Sequence, residues 1–172
     1  MPLNVVLYQP EIPQNTGNIM RTCAGTNVLL HLIKPLGFKL DPKYMKRTAV
    51  NYLEHVNYMV YEDYADFKSK NQGRFIFLTR YGKKNPREFD LSNVEENIYL
   101  VFGKESTGIP KEILREHLDD CVRLPTNDKI RSLNLSNCVA VMIFEVLAQQ
   151  NYPDLSQEEP RTLKGSNWLM ED

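Results

Sequence analysis

Three short segments of the sequence combine glycine or asparagine with hydroxyls and charged side chains, and they are the candidates for chemistry. They are NTGNIMR (15–21), FGKESTGIP (102–110) and IRSLNLSNCVA (130–140). Small residues allow a ligand to approach the backbone closely, and short polar side chains supply hydrogen-bonding groups. Each segment also leads into a helical pattern, where unpaired N–H groups are available. The sequence therefore predicts ligand-binding or helix-capping roles for all three.

The segment FGKESTGIP looks at first like a phosphate-binding loop. A GxxxxGK[ST] loop places its lysine after the second glycine, whereas Lys104 follows the first glycine, Gly103. The GxGxxG pattern also fails, because no glycine lies between Gly103 and Gly108. What remains is a loop with Glu105 outside the carboxyl end of a predicted strand, where ligands bind in α/β sheets. This position favours a ligand loop over a plain connecting turn.

The other two segments each open a predicted helix. In the first, Asn15 is the predicted N-cap, and Arg21 follows on the same helix. A capped helix with a surface arginine remains an alternative interpretation of that segment. In the other, several capping-type residues crowd one helix start, although one would suffice. These residues are Ser132, Asn134, Ser136 and Asn137. Their number favours contact with a ligand or another loop.

Short apolar runs between these segments predict the strands that position them. The runs are LNVVLY (3–8), VLLHLI (28–33), VNYMVY (56–61), RFIFLT (74–79), NIYLVF (97–102) and CVRL (121–124). Continuous apolar runs are typical of a parallel sheet that is covered on both faces. Because helical patterns alternate with them, the predicted class is α/β: a single domain with a mainly parallel sheet and helices on both faces.

Five stretches have helical patterns. They are TGNIMRTCAGTN (16–27), PKYMKRTAV (42–50), DYADFKSKN (63–71), PKEILREHL (110–118) and residues 134–150. Pro110 is predicted to lie in the first turn of the fourth. The last carries a broad apolar stripe, which predicts packing in the core or against another subunit. Residues 1–152 are predicted to form the domain and residues 153–172 a C-terminal tail.

Composition excludes several classes of protein. The chain has 172 residues, 42% of them hydrophobic and 25% charged, which fits one globular domain with its own core. No apolar run reaches the ~18 residues of a membrane span, and the N-terminus lacks the features of a signal peptide. Three cysteines and three histidines are scattered, so no metal site or disulfide framework is predicted. We expect reduced, buried thiols in a cytoplasmic protein.

Basic residues are concentrated locally, although the formal net charge of −1 argues against a strongly nucleic-acid-binding protein. One cluster lies in residues 39–47 beside a single acid, and a second lies in residues 80–87. A solvated surface is the ordinary interpretation of such runs. Contact with nucleic-acid phosphates is the alternative.

In this order and near this spacing, NTGNIMR, LVFGKESTGIP and IRSLNLSNCVA resemble the three signature motifs of the SPOUT (SpoU-type) RNA methyltransferases. With the start LNVVLYQPEIPQNTGNIMR, the resemblance covers nearly the whole chain. The chain looks like the small, single-domain TrmL/YibK/CspR-like subgroup, the tRNA wobble-nucleotide ribose methyltransferases. Each motif alone is weak evidence, whereas the ordered triple is highly specific. We expect no separate RNA-binding domain, because the first predicted strand begins at residue 3.

The resemblance implies a C-terminal deep trefoil knot (an α/β knot) that binds S-adenosylmethionine. The implied cofactor-binding positions are Leu78, Thr79, Gly103, Glu105, Gly108, Ile109, Leu124, Ser132 and Leu133. Apolar residues there suit the adenine ring. The sulfonium methyl is already a strong electrophile, so the protein must align the ribose 2′-hydroxyl with it and help to remove the hydroxyl proton.

The resemblance also implies catalytic positions and a homodimer with the last helix at the interface. The catalytic positions are Asn15, Arg21, Glu105, Ser132 and Asn134. Arg21 and Asn15 are expected to meet the cofactor that is bound mainly by the partner subunit. A guanidinium stays protonated at accessible pH values and is a poor base, so we expect Arg21 to position phosphate and hydroxyl groups.

Without a separate RNA-binding domain, the dimer surface is expected to bind the anticodon stem-loop of tRNA. The candidate contacts are Lys43, Lys46, Arg47, Arg80, Lys83 and Lys84. Contacts to phosphates would give affinity, and an unstacked loop base would give selectivity. The implied reaction is 2′-O-methylation of the wobble nucleotide, cytidine or uridine 34, with tRNA-Leu as the expected substrate.

Two alternatives belong to other functional classes. A non-catalytic RNA-binding protein could retain the knotted cofactor pocket, but it would have no need to keep four site residues together. A nucleotide-phosphate enzyme such as a small kinase is disfavoured by the failed phosphate-loop patterns. Formation of a 2′-O-methyl nucleoside in tRNA would separate the methyltransferase from the binder.

Overall fold

Six parallel strands form one sheet in the described part of the chain, and each lies where the sequence predicts a strand. The computed structural model describes residues 3–40 and 55–170. The strands are β1 (Leu3–Tyr8), β2 (Leu29–Ile33), β3 (Tyr58–Tyr61), β4 (Arg74–Leu78), β5 (Ile98–Phe102) and β6 (Cys121–Val122). Their order across the sheet is β3-β2-β1-β5-β4-β6, with parallel pairing throughout. The predicted α/β class with a mainly parallel sheet is confirmed.

Helices cover both faces of this sheet. They are α1 (Pro13–Thr26), α2 (Tyr64–Lys70), α3 (Lys111–Arg115) and α4 (Leu135–Gln149). Side chains of α1 and α4 join one hydrophobic cluster, and side chains of α2 and α3 join a second. Successive strand residues alternate between the two: Val5 and Leu100 belong to the first cluster, and Val6 and Val101 to the second. Burial on both faces explains why the central strands β1 and β5 are almost continuously apolar, whereas the edge strand β3 is exposed at three of its four residues.

Helix α1 begins three residues earlier than predicted, at Pro13, whose fixed φ suits the first helical position. Ile12 occupies the N-cap position and makes no side-chain capping bond. The prediction that Asn15 is the N-cap is therefore wrong, because Asn15 already lies inside the first turn. The helix ends at Thr26, and its C-cap residue Asn27 adopts a left-handed conformation with φ of 54°.

Helix α4 confirms the predicted apolar stripe. Asn134 is its N-cap, and its Oδ1 accepts hydrogen bonds from the N–H groups of Ser136 (2.9 Å) and Asn137 (3.4 Å). The stripe is buried in the core at Val139, Met142, Ile143, Val146 and Leu147. The opposite face of α4 exposes Val141 and Phe144.

The two short helices differ in how well the sequence predicts them. Helix α2 is confirmed, and the carboxylate of Asp63 caps it by accepting from the N–H of Asp66 at 2.8 Å. Helix α3 is shorter than predicted and begins after Pro110, which is the N-cap residue and not part of the first turn. The predicted helix over 42–50 lies outside the described residues.

Beyond α4 the chain packs less closely. Tyr152 and Leu155 still contact the core, whereas residues 156–170 are exposed except for a half-buried Gly165. In the described residues no helix is long and apolar enough to cross a membrane. The same residues contain no group of three or more His, Cys, Asp or Glu side chains placed to hold a metal ion. Cys23, Cys121 and Cys138 are buried free thiols.

A buried histidine connects three strands. His31 on β2 is 1% exposed; its Nδ1 lies 2.8 Å from the hydroxyl of Tyr61, and its Nε2 lies 3.0 Å from Oδ1 of Asn4. Asn4 donates its amide hydrogen to the carbonyl of Ile98, so its oxygen is the acceptor for His31. Nε2 therefore carries the proton and Nδ1 accepts from Tyr61. The ring is neutral, and burial lowers the pKa of His31 from 6.5 to about 4.

This histidine makes the protein less stable in acid. Between pH 6.5 and about 4 the unfolded chain binds a proton at His31 that the folded chain does not, so stability is fully present above pH 6.5 and declines as the pH falls. We expect the free energy of unfolding to drop by about 2 kcal/mol between pH 7.5 and pH 5 from this residue alone. Urea unfolding of the wild type and of His31→Gln at both pH values measures the difference.

The matched control for this prediction is His55→Gln, at an exposed histidine. It should retain the wild-type pH dependence, whereas His31→Gln should lose the part that belongs to the buried ring. Equal pH dependence in the wild type and His31→Gln would contradict the assignment.

Candidate active site

Four loops enclose a cavity at the carboxyl edge of the sheet. They are residues 9–15 after β1, 79–85 after β4, 103–110 after β5 and 123–134 after β6. The cavity has a volume of about 420 Å³, which lies in the ~300–1,000 Å³ range of small-molecule sites. It adjoins the boundary between β1 and β5, where the strand order reverses. Ligands of open α/β sheets bind at this kind of position.

All nine predicted cofactor-binding residues line this one cavity. They are Leu78, Thr79, Gly103, Glu105, Gly108, Ile109, Leu124, Ser132 and Leu133. They come from three separate loops, so the sheet and the pairing of β6 with β4 bring them together. Leu78, Ile109 and Leu124 supply an apolar wall, and the remaining residues add backbone and hydroxyl groups. Such a mixed lining suits a ligand with an aromatic ring and a polar edge.

The loop after β5 closes tightly on itself. The N–H of Gly108 donates to the carbonyl of Lys104 at 2.9 Å, and the N–H of Lys104 donates back at 3.3 Å. A Cβ on Gly103 would overlap the backbone of Gly108 and Ile109. Gly108 has φ of +76°, in the left-handed region that favours glycine. Both glycines are therefore required by the shape of the loop itself.

Glu105 in this loop holds the start of α1. Its Oε2 accepts from the backbone N–H of Glu11 at 2.8 Å, and its Oε1 accepts from the N–H of Ile12 at 3.2 Å and from the side-chain amide of Asn15 at 3.1 Å. Three donors converge on one carboxylate at a helix N-terminus, where negative charge is favourable. Glu105 thus fills the role that a side-chain cap of α1 would otherwise perform.

Asn15 and Asn134 extend this contact to the loop before α4. The amide of Asn134 donates to Oδ1 of Asn15 at 3.0 Å, while its own oxygen caps α4. Asn15 is 7% exposed, so its two hydrogen bonds satisfy an otherwise costly buried amide. Glu105, Asn15 and Asn134 form one chain of hydrogen bonds, which we call the Glu105 network. It joins three of the four loops around the cavity.

A second carboxylate, that of Glu11, joins the same two loops by accepting hydrogen bonds from the loop after β5. Glu11 accepts from both the N–H and the hydroxyl of Ser106, each at 2.9 Å. These two hydrogen bonds lower the pKa of Glu11 below its usual value, so its carboxylate is ionised at neutral pH. The loops 9–15 and 103–110 are therefore joined by two reciprocal carboxylate contacts.

Replacing Glu105 by glutamine should loosen this joint without changing the size of the side chain. One carboxylate oxygen becomes an NH₂ group facing a backbone N–H, so at least one bond is lost and a donor is left unpaired. We expect a loss of about 1–3 kcal/mol in the free energy of unfolding and a fall in turnover of roughly 10–100-fold from misplaced loops.

Chemical unfolding and steady-state kinetics measure the two effects of Glu105→Gln. The control is Glu95→Gln, at an exposed carboxylate outside the cavity, which should change neither quantity. Wild-type stability and turnover in Glu105→Gln would show that the network holds nothing in place.

Arg21 lies apart from the other predicted catalytic residues. Asn15, Glu105, Ser132 and Asn134 all line the cavity, whereas Arg21 is not among its described lining residues. Arg21 is on the exposed side of α1, two turns beyond the first. Asn15 lines the cavity of its own chain. That Asn15 and Arg21 meet the cofactor of a partner subunit stays a prediction.

The predicted RNA-binding residues fall into three groups. Arg80 lines the mouth of the cavity, and Lys83 is exposed beside it on the same loop. Lys84 is half-buried: its Nζ donates to the carbonyl of Asp119 at 3.1 Å and lies 3.9 Å from Oδ1 of that residue. Its ammonium is thus partly neutralised within the protein. Lys43, Lys46 and Arg47 lie outside the described residues.

Several cavity residues are missing from the predicted set. The basic side chains of Lys104, Arg123 and Arg131 line the cavity together with the ring of Tyr81. Arg131 stands beside two predicted residues in the motif IRSLNLSN, so its position in the sequence could have indicated it. Tyr81 and Arg123 carry no such signal, because only the pairing of β6 with β4 brings their loops together.

Cys138 also lines the cavity, which raises the question of whether its thiol is a catalytic group. It is 8% exposed, and burial raises its pKa. The thiol is therefore protonated at neutral pH and is not a base or nucleophile under these conditions.

Comparison with known proteins gives a consistent result. The model of the SpoU rRNA Methylase family matches residues 2–144. A protein of Bacillus subtilis (strain 168) is 50% identical over 155 residues, which cover 89% of this chain and 96% of that protein. The name of that protein describes it, provisionally, as a tRNA (cytidine(34)-2′-O)-methyltransferase.

Solved structures agree with the fold described above. One, from a study of the 2-OH methylation of C/U34 on tRNA, is 37% identical with a TM-score of 0.80 and covers 88% of this chain and 99% of its own. Another is the SpoU methyltransferase AviRb from Streptomyces viridochromogenes in complex with AdoMet. It is 20% identical with a TM-score of 0.75, covers 87% of this chain and 60% of its own, and supports the fold alone.

Proposed function

The chain belongs to the SpoU rRNA methylase family, and on this premise we propose that it transfers a methyl group from S-adenosylmethionine to the ribose 2′-hydroxyl of the wobble nucleotide of tRNA, cytidine or uridine 34. The observation that carries the proposal is the cavity, because it gathers all nine cofactor positions that the family resemblance implies. The named activities of relatives at 37–50% identity support the substrate.

The cavity fits the proposed cofactor in size and chemistry. Its volume of about 420 Å³ suits a nucleoside-sized ligand. Leu78, Ile109 and Leu124 provide apolar contacts for a purine ring, and the 103–110 loop brings backbone groups to the same space. When bound, the cofactor supplies an electrophilic methyl group.

The chain's own residues have to position the ribose and the phosphates. The Glu105 network holds the loops together and fixes Asn134, two residues from Ser132, at the cavity wall. The carboxylate of Glu105 already accepts three hydrogen bonds, so we assign it a positioning role and not that of a proton acceptor. Arg21 is assigned to holding a phosphate and the 2′-hydroxyl, since a guanidinium is a donor at all accessible pH values.

A homodimer is part of this proposal. Arg21 is not among the described lining residues of its own cavity, so in this proposal it serves the cavity of a second subunit. Ile12 at the N-cap of α1 and Val141 and Phe144 on α4 are apolar yet 42–49% exposed, which supports contact between these parts of the chain and a second copy. Light scattering should give twice the chain mass of 20.0 kDa; a mass of one chain would remove the dimer and the trans role of Arg21.

The remaining features of the proposal concern the chain as a whole. We propose that residues 1–152 form the methyltransferase domain and that residues 153–172 are an appended tail. Residues 123–134 and the loops after β4 and β5 line one cavity, which supports the proposal that the C-terminal part forms a trefoil knot. A tRNA substrate supports a cytoplasmic location.

The decisive experiment uses the whole chain with labelled cofactor and tRNA that lacks the modification. After digestion, we expect 2′-O-methylcytidine or a 2′-O-methylated uridine from position 34, with tRNA-Leu as the first substrate. A product without 2′-O-methylation would overturn the proposal. Binding of tRNA without any product would favour the non-catalytic RNA-binding protein.

A further inference from the structure

Tyr81 combines two properties that seldom occur together in one side chain. Its ring is 71% exposed, and it also lines the mouth of the cavity that we assign to the cofactor. The apolar side chains deeper in the same cavity are more buried, with Ile109 only 7% exposed. Covering an aromatic ring of this size removes apolar surface from water and is therefore favourable. Its exposure at a binding site therefore calls for a ligand that covers it.

The loop that carries Tyr81 is fixed on both sides by the strand β6 and the residue after it. The N–H of Thr79 donates to the carbonyl of Val122 at 2.9 Å, and the N–H of Arg123 donates to the carbonyl of Lys84 at 2.9 Å. Nη1 of Arg123 also donates to the carbonyl of Arg80 at 2.8 Å. The ring is thus presented by an ordered backbone, which reduces the entropy lost when a ligand binds.

Gly82 shows how closely this loop is packed. A Cβ at Gly82 would lie 2.6 Å from the carbonyl carbon of Val122 and 2.9 Å from the backbone nitrogen of Arg123. The loop that carries Tyr81 therefore lies directly against the backbone of β6 and the residue after it, which fixes its position.

The surroundings of Tyr81 are positively charged. The guanidinium of Arg80 lies 5.0 Å from the centre of the Tyr81 ring, and Arg123 and Arg131 are exposed side chains in the same lining. Glu105 is the acidic residue among the described lining residues, and its carboxylate already accepts three hydrogen bonds from the start of α1. An aromatic face beside several cations matches a ligand that has both a flat ring and phosphates.

We propose that Tyr81 is the surface on which an unpaired base of the substrate RNA stacks, next to the nucleotide that enters the cavity, while Arg80 contacts a phosphate of the same strand. Aromatic side chains beside cationic ones are the usual means of binding single-stranded nucleic acid. The inference rests on the proposed function and names a residue for recognising the unpaired loop. An RNA base is favoured over the cofactor's adenine because the apolar wall for a purine lies deeper, at Leu78 and Ile109.

The test measures RNA binding and cofactor binding separately. An anticodon stem-loop RNA is titrated by fluorescence anisotropy, and S-adenosylmethionine by calorimetry, against wild type, Tyr81→Ala and Tyr81→Phe. We expect Tyr81→Ala to weaken stem-loop binding ~5–100-fold, the range measured for loss of one stacked base, and to leave cofactor affinity unchanged. Tyr81→Phe keeps the ring and should stay within about twofold of the wild type, since stacking needs the π face and not the hydroxyl.

Two controls make the result specific. Leu118→Ala removes an apolar side chain with the same 71% exposure that does not line the cavity, and it should bind the stem-loop as the wild type does. A blunt RNA duplex without unpaired bases should bind wild type and Tyr81→Ala equally, because it offers no base for stacking.

Three outcomes overturn the inference. Unchanged stem-loop affinity in Tyr81→Ala would show that no base stacks on the ring. A loss of cofactor affinity in Tyr81→Ala as large as its loss of stem-loop affinity would assign the ring to the cofactor. A change in the oligomeric mass of that variant would assign the ring to a subunit contact. Because stem-loop binding requires no turnover, these outcomes are distinct from failure of the proposed function, in which the wild type itself yields no 2′-O-methyl product.

Discussion

Replacing Arg21 with alanine should lower the rate of methyl transfer at least ~100-fold while leaving the affinity for S-adenosylmethionine unchanged. Loss of one preorganised donor at a reacting group typically costs a factor of ~10²–10³ in turnover. Cofactor affinity should be retained, because the described residues that line the cavity do not include Arg21. Single-turnover methylation of tRNA and calorimetric titration of the cofactor measure the two quantities.

Two further variants define what Arg21 contributes. Arg21→Lys keeps the charge but loses the planar fork of donors, so we expect it to recover only part of the rate. Arg115→Ala removes an exposed arginine on α3 outside the cavity lining and should behave as the wild type does. Full turnover in Arg21→Ala would refute the role assigned to the residue.

A mixing experiment determines which cavity Arg21 serves. Ser132 is an exposed residue of the cavity lining, and Ser132→Trp should fill the cavity without disturbing the core. If Arg21 acts on the partner's cavity, mixed dimers of Arg21→Ala and Ser132→Trp chains contain one complete site and regain activity. If it acts on its own cavity, each chain of the mixed dimer is defective and activity stays low.

Gly103→Ala is the second variant with a large expected effect. The added Cβ would overlap the backbone of Gly108 and Ile109, neither of which can rotate away as a side chain can. Overpacking of this kind typically costs about 1–3 kcal/mol. Because the displaced residues line the cavity, we also expect the affinity for S-adenosylmethionine to fall by at least ~10-fold.

Gly25→Ala provides the matched control for Gly103→Ala. Gly25 lies on α1 in an ordinary helical conformation, and a Cβ there meets no atom within 4 Å. Alanine should stabilise the helix by roughly 0.5–1 kcal/mol. Urea unfolding and cofactor titration of both variants give the comparison, and Gly103→Ala with wild-type cofactor affinity would contradict the described loop geometry.

The strands could be predicted from the sequence because their environment is uniform. LNVVLY and IYLVF lie in the middle of the sheet as β1 and β5, with helices on both faces. Nearly every position of such a strand is apolar, with the hydrogen-bonded Asn4 of β1 as the exception, so continuous hydrophobic runs in the sequence predict these strands. The cavity residues followed from the family motifs, since spacing and composition led only as far as a ligand loop.

The role of Asn15 could not be predicted from its neighbours. Local rules identify an asparagine before a helical pattern as the N-cap. In the fold, the helix begins at Pro13, two residues before Asn15. The carboxylate of Glu105, which lies 90 positions further along the chain, accepts the amide hydrogen of Asn15. A contact of that range competes with the local rule and replaces it. Tyr81 could not be predicted for the same kind of reason, because its place beside the cavity depends on the pairing of β6 with β4.

The Glu105 network also has a consequence for the order in which this protein matures. Its two side-chain contacts span 90 and 119 positions of the chain, so most of the polypeptide must be synthesised before the contact to Asn134 can form. Long-range closures of this kind are slow steps in folding. A nascent chain that has not yet released residue 134 from the ribosome has an unfinished binding pocket. The protein therefore has to complete its folding before the cavity can bind the cofactor and the RNA.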